Sequence, residues 1–234
     1  MNKVAVVEAR AVTALGDLEA TWRGLLAGRS GIAPVARFDA TGCISRWAAC
    51  VPDLERGSTS RSLLLSLLDR LLDGAPALAA DTPLLAATTK AGIDVLESIE
   101  RHGQGRREDV PPSLLGDETS RRLGLCGRRE TVSGACASAT IALARAAALI
   151  AHDKADSVLV VCADLVSEFV FTGFSSLRAL SPEPAKPFDA RRDGLALGGG
   201  AALLVLMSET RAKGGQRPLL AGLGGWGGVN DATH

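Results

Sequence analysis

The sequence predicts an α/β fold, because short apolar runs that favour strands alternate along the chain with segments of helical periodicity. Residues 157–162 (SVLVVC) are almost continuously apolar, which is typical of an interior strand covered on both faces. Leucines in residues 61–72 are spaced so that they cover most of a helix surface. We therefore expect a mainly parallel sheet covered by helices.

The N-terminal residues predict a strand followed by a helix. Residues 4–7 (VAVV) favour a strand, and Asp17 or Gly16 can cap a helix that follows. The glycines of residues 28–31 (GRSG) end this helix. The apolar positions with helical spacing are Leu18, Trp22, Leu25 and Leu26.

The middle of the chain predicts a strand, a helix and a surface loop. The strand is expected at residues 84–88 and its helix at residues 92–99. Residues 102–112 (HGQGRREDVPP) are polar, contain glycines and end in two prolines, which is typical of a surface loop.

Residues 131–140 (TVSGACASAT) predict a strand, a tight turn of small residues and the start of an alanine-rich helix. This order is one way in which a chain presents a nucleophile, here Cys136. Free N–H groups and the positive end of the helix dipole favour a thiolate beside a helix start. The alternative is that Cys136 is a small buried hydrophobic residue, as most free cysteines are.

The C-terminal third predicts two further strands, at residues 203–207 and 219–225, with a helical turn at residues 209–213 between them. The run GLGGWGG at residues 222–228 superficially matches a GxGxxG dinucleotide motif. No helix is expected after it, so we interpret it as a glycine-rich strand and turn.

Composition excludes several function classes. The 234 residues carry 26 basic and 26 acidic side chains, so the zero net charge argues against nucleic acid or a membrane surface as the main partner. The five cysteines form no CxxC pair, which disfavours a zinc site or a disulfide framework. We expect no cofactor and no metal, and a cytoplasmic location, because no signal-peptide pattern precedes the first strand.

Five segments resemble the β-ketoacyl synthases, the condensing enzymes of fatty-acid and polyketide assembly: residues 28–32 (GRSGI), residues 131–140 (TVSGACASAT), residues 169–181 (FVFTGFSSLRALS), residues 186–194 (KPFDARRDG) and residues 197–202 (LGGGAA). The resemblance implies a thiolase-like fold, of which residues 1–234 would form a single N-terminal-half domain. It implies that Cys136 is the catalytic nucleophile that accepts the acyl group. The resemblance also implies a helix at residues 113–125, before the strand that leads to Cys136. The residues that it places at the substrate are Ala135, Ala137, Ser138 and Phe174.

The chain departs from the family pattern at two points. Gly199 stands where the family has an acidic residue, and residues 127–130 (GRRE) replace a G-P-(N/S) turn. Residues 230–234 (NDATH) resemble the seam between the two halves of a ketosynthase, so the family's catalytic histidines and lysine are expected to fall outside this chain. His152 would lie about 24 Å along the helix from Cys136, beyond hydrogen-bonding reach.

Three hypotheses therefore remain open from the sequence. The first is a half-length subunit, similar to a chain-length factor, that acts beside a full-length ketosynthase in fatty-acid, polyketide or aryl-polyene biosynthesis. The second is a stand-alone cysteine acyltransferase or thioester hydrolase that uses Cys136. The third is a non-catalytic scaffold. The expected partners are acyl carrier protein or acyl-CoA, together with a full-length ketosynthase or a second copy that covers an exposed apolar face.

Overall fold

The computed structural model describes residues 2–54 and 61–229, which form strands in two sheets with helices around them. The strands are β1 (Val4–Thr13), β2 (Gly16–Asp17), β3 (Ala33–Pro34), β4 (Trp47–Ala49), β5 (Leu84–Ala87), β6 (Arg129–Val132), β7 (Ser157–Asp164), β8 (Leu197–Gly198), β9 (Gly200–Ser208) and β10 (Ala221–Leu223). The helices are α1 (Leu18–Leu26), α2 (Leu63–Leu72), α3 (Ile93–His102), α4 (Ser113–Leu123), α5 (Ser138–Ala151), α6 (Glu168–Ser176) and α7 (Glu209–Gly214).

The α/β class is confirmed, but the expectation of a mainly parallel sheet is wrong. The large sheet has the order β10-β1-β9-β7-β5-β6, with β2 beside β1. Only β5 pairs in parallel, with β6 on one side and β7 on the other. Strand β9 runs antiparallel to both β7 and β1. Asp164 at the end of β7 pairs with Gly200 at the start of β9, so the connection between them stays at one end of the sheet and β9 runs back beside β7. No sequence pattern indicated this direction.

Both faces of the large sheet are covered by helices. On one face, leucines of α2, such as Leu64 and Leu68, belong to the same buried cluster as Leu159 and Leu203 of the strands. Six leucines of α2 are buried, which confirms the prediction of a helix buried on nearly every side. The alternating strand residues face α5 instead, where Ala146 and other small residues let the helix approach closely.

The segment expected to be a surface loop at residues 102–112 is anchored to the core. It contains a single turn of 3₁₀ helix (Arg107–Asp109), and the Asp109 side chain is buried. Asp109 accepts hydrogen bonds from Arg61 Nε at 2.6 Å and from the Ser62 backbone N–H at 3.2 Å. Burying that carboxylate is tolerated because a charged donor and a backbone donor both satisfy it.

The small sheet, β3-β4-β8, packs beside α6 at one end of the molecule. Phe38 and Phe171 form the centre of this contact, with ring centroids 5.3 Å apart. Phe171 is fully buried, so α6 is fixed through one face. The opposite face of α6 is left accessible.

Helix α1 begins as predicted but does not bury its apolar residues within the described chain. Asp17 caps it by accepting a hydrogen bond from the Ala20 N–H at 2.8 Å. Trp22 is nevertheless 58% exposed and Leu26 71% exposed. Four large exposed apolar side chains therefore lie on α1, whereas the alanine-rich helix α5 exposes Ile141 alone among its large apolar side chains.

Candidate active site

Cys136 lies in a tight turn between an edge strand and a helix. Strand β6 ends at Val132, α5 begins at Ser138, and Cys136 between them is exposed. Ala135 has a positive φ of 49°, an uncommon conformation for a non-glycine residue. The predicted order of strand, turn and helix is therefore confirmed, and the alternative of a buried cysteine is wrong.

The turn is held by Ser138, the first residue of α5. Its hydroxyl donates to the Ala135 carbonyl at 2.7 Å and accepts from the Gly134 N–H at 2.9 Å. The Ala137 N–H donates to the Gly134 carbonyl at 3.1 Å. These bonds use the carbonyls and N–H groups on both sides of Cys136. Among the described residues, the backbone N–H of Cys136 itself has no hydrogen-bond acceptor.

Cys136 opens into a cavity of ≈320 Å³ at the ends of strands β1, β5, β7 and β9, which we call the Cys136 cavity. Of the residues that the resemblance assigned to substrate, Ala135 and Ser138 line this cavity. Ala137 is the exposed residue before α5 and stands next to Cys136 in the chain. Phe174 does not line the cavity; it lies on α6 in a separate groove beside Lys90.

Asp164 organises the wall of the Cys136 cavity, and the sequence analysis did not identify it. Its carboxylate accepts hydrogen bonds from the Thr88 hydroxyl, the Thr89 hydroxyl and the Thr89 N–H, each at 2.9 Å. The Thr88 hydroxyl also accepts from the Ala91 N–H at 2.9 Å. Asp164 thus fixes the turn after β5, including Thr89, which faces the cavity. The sequence signal that could have identified Asp164 is an acidic residue at the end of a nearly uninterrupted apolar run.

The Cys136 cavity contains a second thiol, that of Cys162. Burial, and secondly the neighbouring Asp164 carboxylate, raises the pKa of Cys162 to about 11. Cys162 therefore stays a neutral thiol at physiological pH. The two cysteines of one cavity differ in exposure, because Cys136 is on the surface and Cys162 is half-buried.

No histidine lines the Cys136 cavity within residues 2–54 and 61–229. His152 follows the last residue of α5, at the end opposite to Cys136, and His102 ends α3 beside a different cavity. His234, with the rest of the NDATH segment, lies outside the described residues. The Cys136 cavity therefore offers a thiol and backbone donors without a histidine base from this part of the chain.

The GRRE segment, which departs from the family pattern, forms an ion-pair network at the edge strand. Glu130 accepts from Arg128 at 2.6 Å and from Arg145 of α5 at 2.5 Å. Arg129 pairs with Asp117 of α4 at 2.7 Å. The Arg145 and Asp117 pairs connect β6 to α5 and to α4, and each of these partly exposed pairs contributes at most about 1 kcal/mol.

The described residues contain no group of three or more His, Cys, Asp or Glu side chains that could hold a metal ion. The five cysteines are free thiols. Within the described ranges, every helix is too short or too polar to cross a bilayer.

The comparison with protein-family models shows to which family this chain belongs. The model of the family described as "Beta-ketoacyl synthase, N-terminal domain" matches residues 90–212, which include Cys136 and Asp164. The chain belongs to the β-ketoacyl synthase family. The resemblance that carried the sequence analysis is thereby confirmed at the level of the family.

Individual relatives agree with this membership. The chain is 31% identical to 3-oxoacyl-[acyl-carrier-protein] synthase 2 of Vibrio cholerae serotype O1, over 93% of this chain and 60% of that protein. A β-ketoacyl synthase from Burkholderia phymatum superposes with a TM-score of 0.81 at 27% identity, covering 100% of this chain and 66% of that one. The ishigamide ketosynthase/chain length factor gives a TM-score of 0.87 at 26% identity, covering 100% and 65%.

These structures confirm the thiolase-like fold of the ketosynthases for this chain. The chain spans about 60% of the length of the curated relatives that it matches.

Proposed function

We propose that this ketosynthase-family chain accepts an acyl group on Cys136 from acyl carrier protein or acyl-CoA, and that it acts beside a full-length condensing partner in fatty-acid, polyketide or aryl-polyene assembly. The observation that carries the proposal is the exposed Cys136 at a rigid strand–helix turn, opening into a cavity. The name of the Vibrio cholerae relative, a 3-oxoacyl-[acyl-carrier-protein] synthase, supports a carrier protein as the acyl donor.

The acylation step needs a thiolate and a stabilised oxyanion. The Cys136 sulfur attacks the thioester carbonyl, the new carbon–sulfur bond forms, and the bond to the carrier sulfur breaks, with the leaving thiolate taking up a proton. The Cys136 N–H, which has no acceptor among the described residues, is placed to donate to the oxyanion. The neutral Cys162 thiol does not compete as a nucleophile at physiological pH.

Decarboxylative condensation needs a base in addition to the thiolate and the oxyanion donor. In the described residues no histidine lines the Cys136 cavity, and loss of such a base typically costs 10² to 10⁴ in rate. We therefore assign condensation to the partner, in line with the ketosynthase/chain length factor to which the chain is similar.

Among the substrate contacts, Ala135 and Ser138 bound the acyl carbon near Cys136, and Ala137 leaves room for the donor to approach. Phe174 lies in the separate groove on α6, so it would contact only the distal part of a long acyl chain. The turn that contains Thr89 and Lys90 lies between the two, because Thr89 lines the cavity and Lys90 the groove.

The test is incubation with acyl carrier protein or acyl-CoA, followed by intact-mass spectrometry of the whole chain. One acyl adduct is expected, and Cys136→Ala should abolish it. Cys126→Ala is the matched control, because Cys126 is also exposed but lies outside the Cys136 cavity. An adduct that persists in Cys136→Ala would refute the proposal. An adduct that decays without an added thiol would assign thioester hydrolysis instead.

A further inference from the structure

A second thiol, that of Cys162, lies in the Cys136 cavity and takes no part in the proposed acylation. Cys136 and Cys162 both line the cavity, and both are free thiols in the structure. The three other cysteines of the chain, Cys43, Cys50 and Cys126, lie outside it. Two cysteines in one cavity can react in a way that a lone cysteine cannot, because a thiol beside an oxidised thiol can close a disulfide.

The side chain of Cys162 is on the face of the sheet that packs against α5. It contacts the buried cluster that joins the strands to this helix, of which Ala142 is a member. Cys136 lies just before α5 begins at Ser138, and both Ser138 and Ala139 line the cavity. The two thiols therefore enter the cavity at the same end of α5, one from β7 and the other from the turn after β6.

The neighbours of Cys162 in the sheet are small. Cys162 pairs with Ala87 of β5 on one side and with Ala202 of β9 on the other. Both alanines line the cavity of ≈320 Å³, as does Ala139 of α5. The Cys162 side chain can thus rotate about its single side-chain torsion towards Cys136 without displacing a large side chain.

The titratable groups that line the cavity are Cys136, Cys162 and Asp164, and within the described residues no lysine, arginine or histidine lines it. The Asp164 carboxylate is bound by the Thr88 and Thr89 hydroxyls. Burial and Asp164 raise the pKa of Cys162 to about 11, so the exposed Cys136 is the thiol that meets an oxidant first. A thiolate of high pKa is intrinsically the stronger nucleophile, which suits Cys162 for an attack within the cavity.

We propose that Cys136 and Cys162 form a redox modification site, in which a hydroperoxide oxidises Cys136 and Cys162 then closes a disulfide with it. In the first step the Cys136 thiolate attacks a peroxide oxygen and the O–O bond breaks. Cys136 becomes a sulfenic acid, and the leaving oxygen takes up the proton that the thiol released. In the second step the Cys162 sulfur attacks the Cys136 sulfur, the S–S bond forms and the S–O bond breaks. The hydroxide leaves as water with the Cys162 proton, so the two electrons lost by the thiols reduce the peroxide.

The disulfide would protect the Cys136 sulfur from further oxidation. A sulfenic acid that is not captured by a thiol proceeds to sulfinic acid, which thiols do not reverse, whereas a dithiol restores both cysteines of a disulfide by exchange. Formation of the disulfide does not require that Cys136 accept an acyl group. Only the accompanying loss of acylation rests on the proposed function.

The test is peptide mass spectrometry of the whole chain after treatment with hydrogen peroxide, blocking of the remaining thiols and tryptic digestion without a reductant. Cys136 lies in the peptide of residues 130–145 and Cys162 in that of residues 155–178, each without another cysteine. We expect these two peptides to be joined by a disulfide and to be separated by dithiothreitol. Because the thiolate of Cys162 is the reacting form, the rate of joining should rise by up to about tenfold per pH unit below a pH of about 11.

Variants of Cys162 separate a resolving thiol from a bystander. In Cys162→Ser and in Cys162→Ala, the peptide of residues 130–145 should accumulate sulfinic acid that dithiothreitol does not remove. Cys43→Ser is the matched control, because Cys43 is half-buried like Cys162 but lies outside the cavity, and it should keep the joined peptide. After peroxide treatment, dithiothreitol should restore acylation of the wild type and of Cys43→Ser, but not of Cys162→Ser.

Two results would overturn the inference. One is sulfinic acid on Cys136 that accumulates equally fast in the wild type and in Cys162→Ser. The other is a disulfide that joins Cys136 to Cys43 or Cys126 instead of Cys162. A chain that forms the expected disulfide but never takes up an acyl group would refute the proposed function alone. Acylation of Cys136 without any joined peptide after peroxide treatment would refute the redox site alone.

Discussion

At the scale of single residues, the two thiols of the Cys136 cavity differ in their surroundings. Cys136 is exposed, whereas Cys162 is half-buried and has a pKa raised to about 11 by burial and by Asp164. Of the two sulfur atoms in this cavity, that of Cys136 is therefore the exposed one, and that of Cys162 stays protonated at physiological pH.

This difference predicts the order in which the cysteines react. At pH 8 only about 0.1% of Cys162 is thiolate, so iodoacetamide should modify Cys136 and leave Cys162 intact. Because a raised pKa keeps the proton bound to a higher pH, the labelling rate of Cys162 should keep rising, by about tenfold per pH unit, up to a pH of about 11. Peptide mass spectrometry across the pH range measures both rates. Labelling of Cys162 as fast as Cys136 at pH 8 would contradict the account.

Asp164 is predicted to stabilise the fold through the turn after β5. Asp164→Ala leaves the Thr88 and Thr89 donors without their acceptor, so we expect the free energy of unfolding to fall by about 2–4 kcal/mol. Asp156→Ala is the control, because Asp156 is exposed and pairs with Arg211 on the surface, where the loss should stay below about 1 kcal/mol. Urea denaturation measures both; equal losses would disprove the role of Asp164.

At the level of residues, the sequence predicted the strand–turn–helix setting of Cys136, and it missed Asp164. The small residues around Cys136 are its neighbours in the chain, so the turn that they form is a local property. Asp164 meets Thr88, Thr89 and Lys90 across 74 to 76 positions of sequence. Phe174 was assigned from a motif, and a motif carries no information on which cavity its residues enter. The packing of α6 places Phe174 in a groove separate from the Cys136 cavity.

At the scale of elements, the junction between α2, α3 and the 3₁₀ turn depends on one glycine. A Cβ atom at Gly92 would lie 1.8 Å from the Asp109 carbonyl oxygen, which backbone atoms cannot accommodate. The turn also carries the Asp109 carboxylate, which holds Arg61 and Ser62.

We predict that Gly92→Ala lowers the free energy of unfolding by about 3 kcal/mol or more, because the backbone at residue 92 must move away from the Asp109 carbonyl. Gly214→Ala is the matched control, since nothing lies within 4 Å of its Cβ position and it ends helix α7. There alanine should be neutral or stabilise by up to about 1 kcal/mol. A melting temperature of Gly92→Ala equal to that of the wild type would show that the turn is not constrained.

The elements themselves were largely predictable, but their directions were not. Helix α2 was recognised from its leucines, and β7 from its apolar run, because both signals lie within one element. The antiparallel entry of β9 depends on the path of residues 177–196, which have no periodic pattern. The helix α1 was recognised from its apolar spacing, yet that spacing does not tell whether its face is covered within the described chain.

At the scale of the whole molecule, helix α1 presents an uncovered apolar face within the described residues. Leu18, Trp22, Leu25 and Leu26 lie on one helix and are between 46% and 71% exposed. Contiguous apolar patches of this kind usually mark contact surfaces.

We therefore predict that α1 controls association of this chain. The double substitution Leu25→Lys and Leu26→Lys should reduce binding of a hydrophobic dye and shift sedimentation towards the monomer. The melting temperature should change little, because both side chains are already exposed. Glu19→Gln on the same helix is the control. Unchanged dye binding and sedimentation in the double variant would assign the contact to another surface.

The central claim is that Cys136 is an acyl acceptor, and the location of the acyl group tests it most directly. After incubation with acyl carrier protein, tryptic digestion places Cys136 in the peptide of residues 130–145, which contains no other cysteine. The account predicts that this peptide gains the acyl mass while the peptide of residues 123–128, which carries Cys126, does not. An acyl group on Cys126 to the same extent, or an unmodified peptide 130–145, would contradict it.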